Sequence, residues 1–205
     1  MRSQPYYILF AGVNGAGKTT LYRSGLWQHG GINTEMPRVN PDEILVANGW
    51  DWRSEADQMK AGRLAVKSIR RHFGQLESFN QETTLTGNSI MRNIRHAREA
   101  GYRIVMFYVC VSDPAIANER IERRGSIGGH SIDPQTVTNR YEASLSNLIR
   151  ITDACDELYL YDNTIRLELE ARFKFGELAF FNPAEPHLAW IARILNALGY
   201  VDVVF

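Results

Sequence analysis

Short apolar runs along the chain predict the strands of a buried sheet. Residues 6–11, Tyr-Tyr-Ile-Leu-Phe-Ala, are continuously apolar and end at a glycine, as strands covered on both faces often do. Residues 102–111 are rich in β-branched and aromatic side chains and form the clearest strand. Further strands are predicted at 76–82 and 157–162, and a weaker one at 35–40, where a proline interrupts the run.

Segments between these runs have the spacing of amphipathic helices. Apolar residues recur at mostly helical intervals over 54–73, and Ser54 has the side chain of an N-cap. A second helix is predicted at 88–100, and Asp-Pro pairs open two more at residues 113 and 133. Strands that alternate with helices predict an α/β fold of three layers around a parallel sheet of about five strands.

The pattern changes near the C-terminus. Residues 167–175 alternate apolar and polar side chains, and a glycine turn joins them to a second run at 178–181, which together predict a half-exposed antiparallel hairpin. A last amphipathic helix is predicted at 185–198. The sequence therefore predicts one domain over residues 1–205, in which residues 164–205 form a small appendage of a hairpin and a helix.

The charge balance argues against some partners. The chain has 205 residues, with 23 Lys and Arg against 23 Asp and Glu, so its formal net charge is zero. A neutral chain is not typical of proteins that work on nucleic acid or anionic membranes, although a local cationic pocket is still allowed. No apolar run reaches bilayer length and no secretory h-region is present, so we expect a soluble cytoplasmic protein. Cys110 and Cys155 stand in apolar stretches and are expected to be reduced core thiols.

The strongest motif follows the first predicted strand. Residues 12–19 satisfy the pattern G-x-x-x-x-G-K-[ST] at every position. Glycines let the backbone wrap closely around phosphate, so that N–H groups and a helix N-terminus point at the anion. Lys18 would reach the β- and γ-phosphates of a nucleotide and Thr19 would bind Mg²⁺, whereas in a turn without a ligand both would be coincidental. The predicted nucleotide-binding residues of this segment are Gly12, Val13, Asn14, Gly15, Ala16, Gly17, Lys18, Thr19 and Thr20.

Carboxylates near the phosphate site bear on the reaction. Parallel strands bring their C-terminal ends to one edge of a sheet, which selects Asp42, Glu82, Asp113 and the pair Asp162 and Asn163. Asp113 precedes a proline and is expected to cap the next helix. For Asp42, which also follows a proline, the pattern is equally compatible with a cap and with catalysis. Glu82 opens the segment Glu-Thr-Thr-Leu-Thr-Gly, whose crowded hydroxyls favour a functional role.

A group of arginines supplies positive charge farther along the chain. Arg120 and Arg124 are four residues apart, so they project from the same face of a helix. Glycines follow them directly and indicate a lid-like loop, from which arginines could neutralise a transferring phosphoryl group. A solvated surface face is the alternative. His130, inside the same loop, is a candidate for substrate contact.

Several segments of the chain form an ordered set of motifs. They are residues 10–20, 39–44 (Val-Asn-Pro-Asp-Glu-Ile), 82–87 (Glu-Thr-Thr-Leu-Thr-Gly), Arg120-x₃-Arg124, Gly128-Gly129-His130, 140–148 (Arg-Tyr-x₂-Ser-Leu-x-Asn-Leu) and 161–163 (Tyr-Asp-Asn). Together they resemble the zeta-toxin family of P-loop kinases, and within it the branch of predicted ABC-type ATPases. The resemblance covers nearly all of the chain up to about residue 164 and little of the C-terminal hairpin and helix.

The resemblance implies a parallel sheet of the adenylate-kinase type and a kinase that uses ATP or GTP. Zeta toxins phosphorylate the 3′-hydroxyl of the sugar in UDP-N-acetylglucosamine, and their usual partner is a small helical antitoxin. In that family the general base matches Asp42, and the residues that position the acceptor hydroxyl match Glu82 and Thr84. The arginines that face the phosphates match Arg124 and Arg140.

Two departures from the family pattern concern the acceptor. Zeta toxins carry a basic residue where this chain has Thr86, and the lid ending at His130 is characteristic of the ATPase branch. Both departures leave the residues for phosphoryl transfer intact. In the lid Arg120 competes with Arg124 for the phosphate-facing role, and Asn163 stands near where related folds hold the base.

The leading hypothesis is a kinase that uses ATP or GTP with Mg²⁺ to phosphorylate a hydroxyl of a small molecule, such as UDP-N-acetylglucosamine. Catalytic roles are assigned to Lys18, Asp42, Arg120, Arg124 and Arg140, substrate binding to Asp42, Glu82, Thr84 and His130, base contact to Asn163, and the metal to Thr19. One alternative is a different acceptor, namely an antibiotic, a nucleoside or a dinucleotide. The other is a non-catalytic nucleotide-binding switch or toxin partner.

Overall fold

The computed structural model describes residues 4–28, 32, 35–125, 132–182 and 188–200. The strands are β1 (Tyr6–Ala11), β2 (Arg38–Val39), β3 (Phe79–Thr83), β4 (Arg103–Cys110), β5 (Glu157–Asp162), β6 (Glu168–Lys174) and β7 (Glu177–Phe181). They form one sheet in the order β2-β3-β1-β4-β5-β6-β7.

The sheet has a parallel part and an antiparallel end. β2, β3, β1, β4 and β5 run parallel, whereas β6 and β7 pair antiparallel and continue the sheet beyond β5. The predicted fold class, a parallel sheet of about five strands with a C-terminal hairpin and helix, is confirmed. Because β1 lies between β3 and β4, the turn that follows β1 is flanked by the carboxyl ends of both neighbours.

Helices connect the strands. They are α1 (Lys18–Ser24), α2 (Pro41–Ala47), α3 (Glu55–Gln75), α4 (Asn88–Glu99), α5 (Pro114–Gly125), α6 (Pro134–Ile151) and α7 (Ala189–Ala197), with a short 3₁₀ turn at Thr152–Ala154. Two predicted caps are present: Ser54 Oγ accepts from the Asp57 N–H at 3.3 Å, and Asp113 Oδ1 accepts from the Ala115 N–H at 2.7 Å. No helix in the described part of the chain is long and apolar enough to cross a bilayer.

Helix α2 is not indicated by the sequence pattern. It has seven residues, fewer than two full turns, so it is too short to show a helical period. Its N-cap is Asn40, whose side-chain oxygen accepts from the Asp42 N–H at 3.0 Å, and Pro41 follows in the first turn. Asn40, and not Asp42, therefore caps α2, so the interpretation of Asp42 as a helix cap is wrong.

The core is centred on β1 and β4, whose residues are buried along nearly their whole length. Phe10, Phe107 and Tyr159 stand at paired register positions on three adjacent strands, and their rings stack at centroid distances of 5.6 and 4.9 Å. Cys110 and Cys155 are free and buried, and burial raises the pKa of each thiol to about 12.

The C-terminal elements are part of this core. Helix α7 buries Trp190, Ile191, Ile194 and Leu195, and its Arg193 forms an ion pair with Glu142 of α6 at 2.6 Å. The predicted start of this helix, at residue 185, lies outside the described residues. The hairpin therefore extends the sheet beyond β5, and α7 packs on the sheet through Trp190, whose ring centre lies 6.1 Å from that of Tyr108 on β4.

Candidate active site

The turn between β1 and α1 needs glycine at two positions where the backbone is unusual and the neighbours are close. Gly12 and Gly17 have φ angles of 134° and 110°, in the region that favours glycine. A Cβ on Gly12 would lie 2.1 Å from the carbonyl oxygen of Val109, and one on Gly17 would lie 2.1 Å from the side-chain nitrogen of Asn163. The turn is therefore pressed against β4 and against the residue that follows β5.

Lys18 lies at the centre of the site. It is the first residue of α1 and only 7% exposed, and its Nζ donates to the carbonyl oxygens of Gly12 at 2.9 Å and Val13 at 3.1 Å. Burial lowers the pKa of Lys18, and the negative charges of Glu82 and Asp42 oppose that shift. The charges of both carboxylates therefore favour the protonated form of the lysine.

Glu82 is held by four polar neighbours. Its Oε2 accepts from Arg38 at 2.6 Å, from Asn40 at 3.1 Å and from the Thr19 hydroxyl at 3.5 Å. Its Oε1 lies 3.8 Å from Nζ of Lys18. Glu82 lies beside the nucleotide turn, as predicted. Its carboxylate is held there by side chains of α1, of β2 and of the N-cap of α2.

Arg38 and Asn40 are functional candidates that the sequence pattern does not single out. Arg38 packs its guanidinium 3.7 Å from the ring centre of Tyr22 and donates to Glu82, to Glu43 at 2.9 Å and to Asn80 at 3.1 Å. The available signal is weak: Arg38 is on β2 and Asn40 stands two residues later, directly after the strand, so their side chains project to the same side, and β2 pairs with β3. Only that pairing brings them to the carboxylate of Glu82.

Asp42 stands in the first turn of α2 with an exposed side chain. Among the described residues, none donates a hydrogen bond to its carboxylate. Helix α2 follows β2 at the carboxyl edge of the parallel sheet, where the nucleotide turn also lies, and the charge of Asp42 opposes the lowering of the Lys18 pKa. Asp42 is thus a second carboxylate near the nucleotide turn, and among the described residues its oxygens accept no hydrogen bond.

Of the three predicted arginines, Arg140 contacts the turn, whereas Nε of Arg124 donates to the backbone oxygen of Arg120 at 3.3 Å and acts on the turn through its charge. Arg140 of α6 donates to the side-chain oxygen of Asn14 at 2.9 Å, and the positive charges of Arg124 and Arg140 both lower the pKa of Lys18. Arg120 is used differently, because its guanidinium donates to the backbone oxygen of Thr164 at 3.0 Å. Its predicted catalytic role stays a prediction.

The loop after β3 is strained and pinned. Leu85 is fully buried with a φ of 59°, an uncommon conformation for a branched residue, and the Asn147 side chain donates to its carbonyl oxygen at 2.9 Å. The hydroxyls of Thr84 and Thr86 on either side lie 2.8 Å apart. Helix α6 therefore fixes the loop that carries Thr84 next to Glu82.

Comparison with known proteins identifies the family. Residues 1–167 match the family model described as zeta toxin. The chain belongs to the zeta toxin family. An uncharacterised protein of Haemophilus influenzae is 31% identical over 139 residues, which cover 65% of this chain and 91% of that protein.

Solved structures with this zeta toxin fold include two protein complexes. AvrRxo1-ORF1 with -ORF2 and ATP matches with a TM-score of 0.66 at 16% identity, over 86% of this chain. This chain spans only 60% of the length of that matched chain. The PezAT toxin–antitoxin system of Streptococcus pneumoniae matches with a TM-score of 0.60 at 17% identity, over 96% of this chain and 88% of that one.

The zeta toxin match and the site agree on the class of chemistry. The family and the P-loop kinase fold support a nucleotide-dependent phosphotransferase. The structure brings Lys18, Thr19, Glu82 and Arg140 together at one turn, as the zeta toxin resemblance implies, and the charge of Arg124 acts on Lys18. Predicted His130 lies outside the described residues, and predicted Thr20 lies exposed on α1. In the described part of the chain no three His, Cys, Asp or Glu side chains form a metal cluster.

Proposed function

We propose that the protein is a zeta-toxin-like kinase that transfers the γ-phosphate of ATP, or of GTP, to a hydroxyl group of a small molecule. The observation that carries this proposal is the set of charges around Lys18. Nζ of Lys18 lies 3.8 Å from Oε1 of Glu82, and Arg140 donates to Asn14 of the same turn at 2.9 Å. The charges of Asp42 and Arg124 also act on Lys18. Phosphoryl transfer depends mainly on positioning and on charge stabilisation, and this arrangement supplies both.

The turn at residues 12–19 would hold the triphosphate. Its backbone and the N-terminus of α1 offer N–H groups and a favourable dipole to an anion. Lys18 would exchange its hydrogen bonds to the Gly12 and Val13 carbonyls for phosphate oxygens. Arg140, already bonded to Asn14 of the turn, would stabilise the phosphoryl group in transfer.

Mg²⁺ fits the oxygen groups at the start of α1. The ion favours oxygen ligands and usually combines one or two protein groups with phosphates and water. Thr19 would be its protein ligand, and Glu82, whose Oε2 lies 3.5 Å from the Thr19 hydroxyl, would accept hydrogen bonds from the surrounding water. When bound, the ion would neutralise charge between the β- and γ-phosphates.

The two carboxylates would have different roles. Glu82 Oε2 already accepts three hydrogen bonds, which suits an orienting group, and Thr84 follows it on the pinned loop. Asp42 has both oxygens open among the described residues and would accept the proton of the acceptor hydroxyl. Both side chains lie at the carboxyl edge of the parallel sheet, where substrates of such folds bind.

The acceptor is proposed from the resemblance. UDP-N-acetylglucosamine is the first candidate, because the matching residues of zeta toxins act on it. Thr86 stands where those toxins carry a basic residue and is hydrogen-bonded to Thr84, which favours an acceptor with fewer negative charges, such as a nucleoside or an antibiotic. An inhibitory helical protein partner is proposed as well, since related folds were solved as the PezAT toxin–antitoxin system and as AvrRxo1-ORF1 with -ORF2.

Label transfer tests the proposal. The protein is incubated with γ-labelled ATP, Mg²⁺ and a small-molecule extract, and the labelled product is identified by mass. We expect Asp42→Asn to slow the transfer about 10²–10⁴-fold, because a positioned general base contributes that much, with ATP affinity unchanged. Asp113→Asn is the matched control, since among the described residues that carboxylate bonds only to the start of α5, and its loss should leave turnover near wild type.

Two results would change the conclusion. Tight ATP binding without any labelled acceptor would favour the nucleotide-binding switch. Normal turnover by Asp42→Asn would remove Asp42 from the mechanism while leaving the kinase activity in place.

A further inference from the structure

Helix α7 lies beyond the part of the chain that matches the zeta toxin family, which ends at residue 167. One side chain of the helix nevertheless enters the polar network next to the nucleotide turn. Trp190 is 3% exposed, and its indole Nε1 donates to Oδ2 of Asp162, itself 5% exposed, at 2.9 Å. A buried carboxylate therefore receives a hydrogen bond from the C-terminal helix.

Asp162 in turn organises the segment 162–164. Its Oδ1 accepts from the Thr164 N–H at 2.7 Å, and its Oδ2 accepts from the Thr164 hydroxyl at 3.0 Å. The same hydroxyl oxygen accepts from the Ser112 N–H at 2.8 Å, which ties the segment to the end of β4. A carboxylate that accepts three hydrogen bonds fixes the backbone that follows β5.

This segment contacts the candidate site at two points. The Asn163 side-chain nitrogen donates to the carbonyl oxygen of Ala16, inside the nucleotide turn, at 2.8 Å. The carbonyl oxygen of Thr164 accepts from Arg120, in the middle of helix α5, at 3.0 Å. Because Gly17 leaves no room for a Cβ against Asn163, a displacement of the segment is transmitted to the turn directly.

We propose that Trp190 is a positioning residue for nucleotide binding. Through Trp190, α7 fixes the segment 162–164, and this segment fixes the positions of the nucleotide turn and of Arg120. The inference rests on the proposed function, since it concerns the same nucleotide site. The C-terminal helix then has a role in the site besides its apolar packing. The indole N–H of Trp190 positions the segment 162–164, and the other buried side chains of α7 stabilise the fold.

Trp190→Phe tests this role because it keeps an aromatic ring and removes the N–H donor. Ile194→Val is the matched control: Ile194 is fully buried on the same helix, and the change removes one methyl group without touching Asp162. The affinity of each protein for ATP with Mg²⁺ is measured by calorimetry, and unfolding in urea is measured alongside. We expect Trp190→Phe to weaken ATP binding about three- to tenfold through loss of a hydrogen bond to a charged acceptor, and Ile194→Val to leave the affinity unchanged.

Hydrogen exchange of the amides at residues 12–19 gives a readout without nucleotide. It should accelerate in Trp190→Phe and not in Ile194→Val. Asn163→Ala should weaken ATP binding in the same way, and the double variant Trp190→Phe/Asn163→Ala should lose no more than Asn163→Ala alone, because both changes act along one path.

The outcomes separate the two proposals. If wild type binds ATP and Trp190→Phe binds it equally well, the inference is overturned and the proposed function stands. If wild type does not bind nucleotide at all, the proposed function fails and the inference fails with it. Independent, additive losses in the double variant would also overturn the inference.

Discussion

The charge on Lys18 lowers the stability of the folded chain while it serves the site. Burial lowers the pKa of Lys18 despite the nearby Glu82 and Asp42. Between that lowered pKa and the ordinary value of 10.5, the folded state binds fewer protons than the unfolded state, so stability rises with pH across this window.

We therefore expect Lys18→Met to be more stable than wild type in urea at pH 7, with the advantage shrinking as the pH approaches 10.5. The same variant should lose the stabilisation that saturating ATP gives wild type, which is about 2.7 kcal/mol at a ligand concentration 100 times the Kd. Parallel urea titrations with and without ATP measure both effects. A stability difference that does not change with pH would show that Lys18 titrates alike in the folded and unfolded states.

Arg38 is expected to be the main support of Glu82. Its side chain is 9% exposed and that of Glu82 13%, and removal of one partner from such a pair costs about 3–5 kcal/mol because a charge is left uncompensated. Arg38→Met should therefore lower the free energy of unfolding by about that much and reduce turnover. Arg38→Lys should recover little, because an ammonium cannot replace the guanidinium fork between Glu82, Glu43 and Asn80.

The double variant Arg38→Met/Glu82→Gln separates stability from function. It should regain part of the lost stability, since the side chain at position 82 then carries no charge that needs the guanidinium, and it should not regain turnover. If Arg38→Met unfolds at the same urea concentration as wild type, the pair contributes no net stability.

The sequence allows the residues of the nucleotide turn to be predicted and leaves those around Glu82 largely hidden. Lys18 and Thr19 belong to a motif of eight consecutive positions, so their roles are local. Arg38 and Asn40 reach Glu82 only because a strand of two residues pairs with β3, and a contact across 42 or 44 residues leaves no trace in periodicity. For Arg120 the helical face is predictable, but its bond to Thr164 is not, since that bond depends on where β5 ends.

At the scale of elements, two capped helices offer a direct comparison. Asn40 caps α2, which carries Asp42, and its side chain also donates to Glu82. Ser54 caps α3, and its hydroxyl oxygen accepts from the Asp57 N–H of that helix. We expect Asn40→Ala and Ser54→Ala each to lower the free energy of unfolding by about 1 kcal/mol, as loss of an N-cap usually does. Only Asn40→Ala should also lower turnover, because it releases the first turn of α2.

Urea unfolding and label transfer on the two variants make the comparison. Equal turnover in both would mean that α2 keeps Asp42 in place without its cap. The two helices also differ in how well they can be predicted: α3 has 21 residues and shows its period, whereas α2 has seven and depends on Asn40 and Pro41 alone.

For the whole molecule, the extent of the domain differs from the extent of the family match. The match ends at residue 167, whereas the sheet continues through β6 and β7 and is covered by α7. Strand β6 pairs with β5 along residues 157–162, so a chain ending at 167 would expose that edge. The single domain over residues 1–205 that the sequence predicts is thus a proposal that truncation can test.

We expect a chain of residues 1–167 not to fold cooperatively. It would lack five large buried side chains, namely Phe173, Trp190, Ile191, Ile194 and Leu195. At about 1.5–3 kcal/mol each, their burial contributes roughly 8–15 kcal/mol before entropy costs, which is as large as the whole net stability of a typical domain. Urea unfolding followed by circular dichroism and fluorescence should give one shared transition for the full chain and no shared transition for the truncated one.

Phe180→Ser is the control, because Phe180 on β7 is 44% exposed and its loss should leave the midpoint unchanged. A truncated chain that unfolds cooperatively near the full-length midpoint would instead make the hairpin and α7 dispensable for folding, and the ATP affinity of that chain would then show whether the nucleotide turn still needs the hydrogen bond from Trp190 to Asp162.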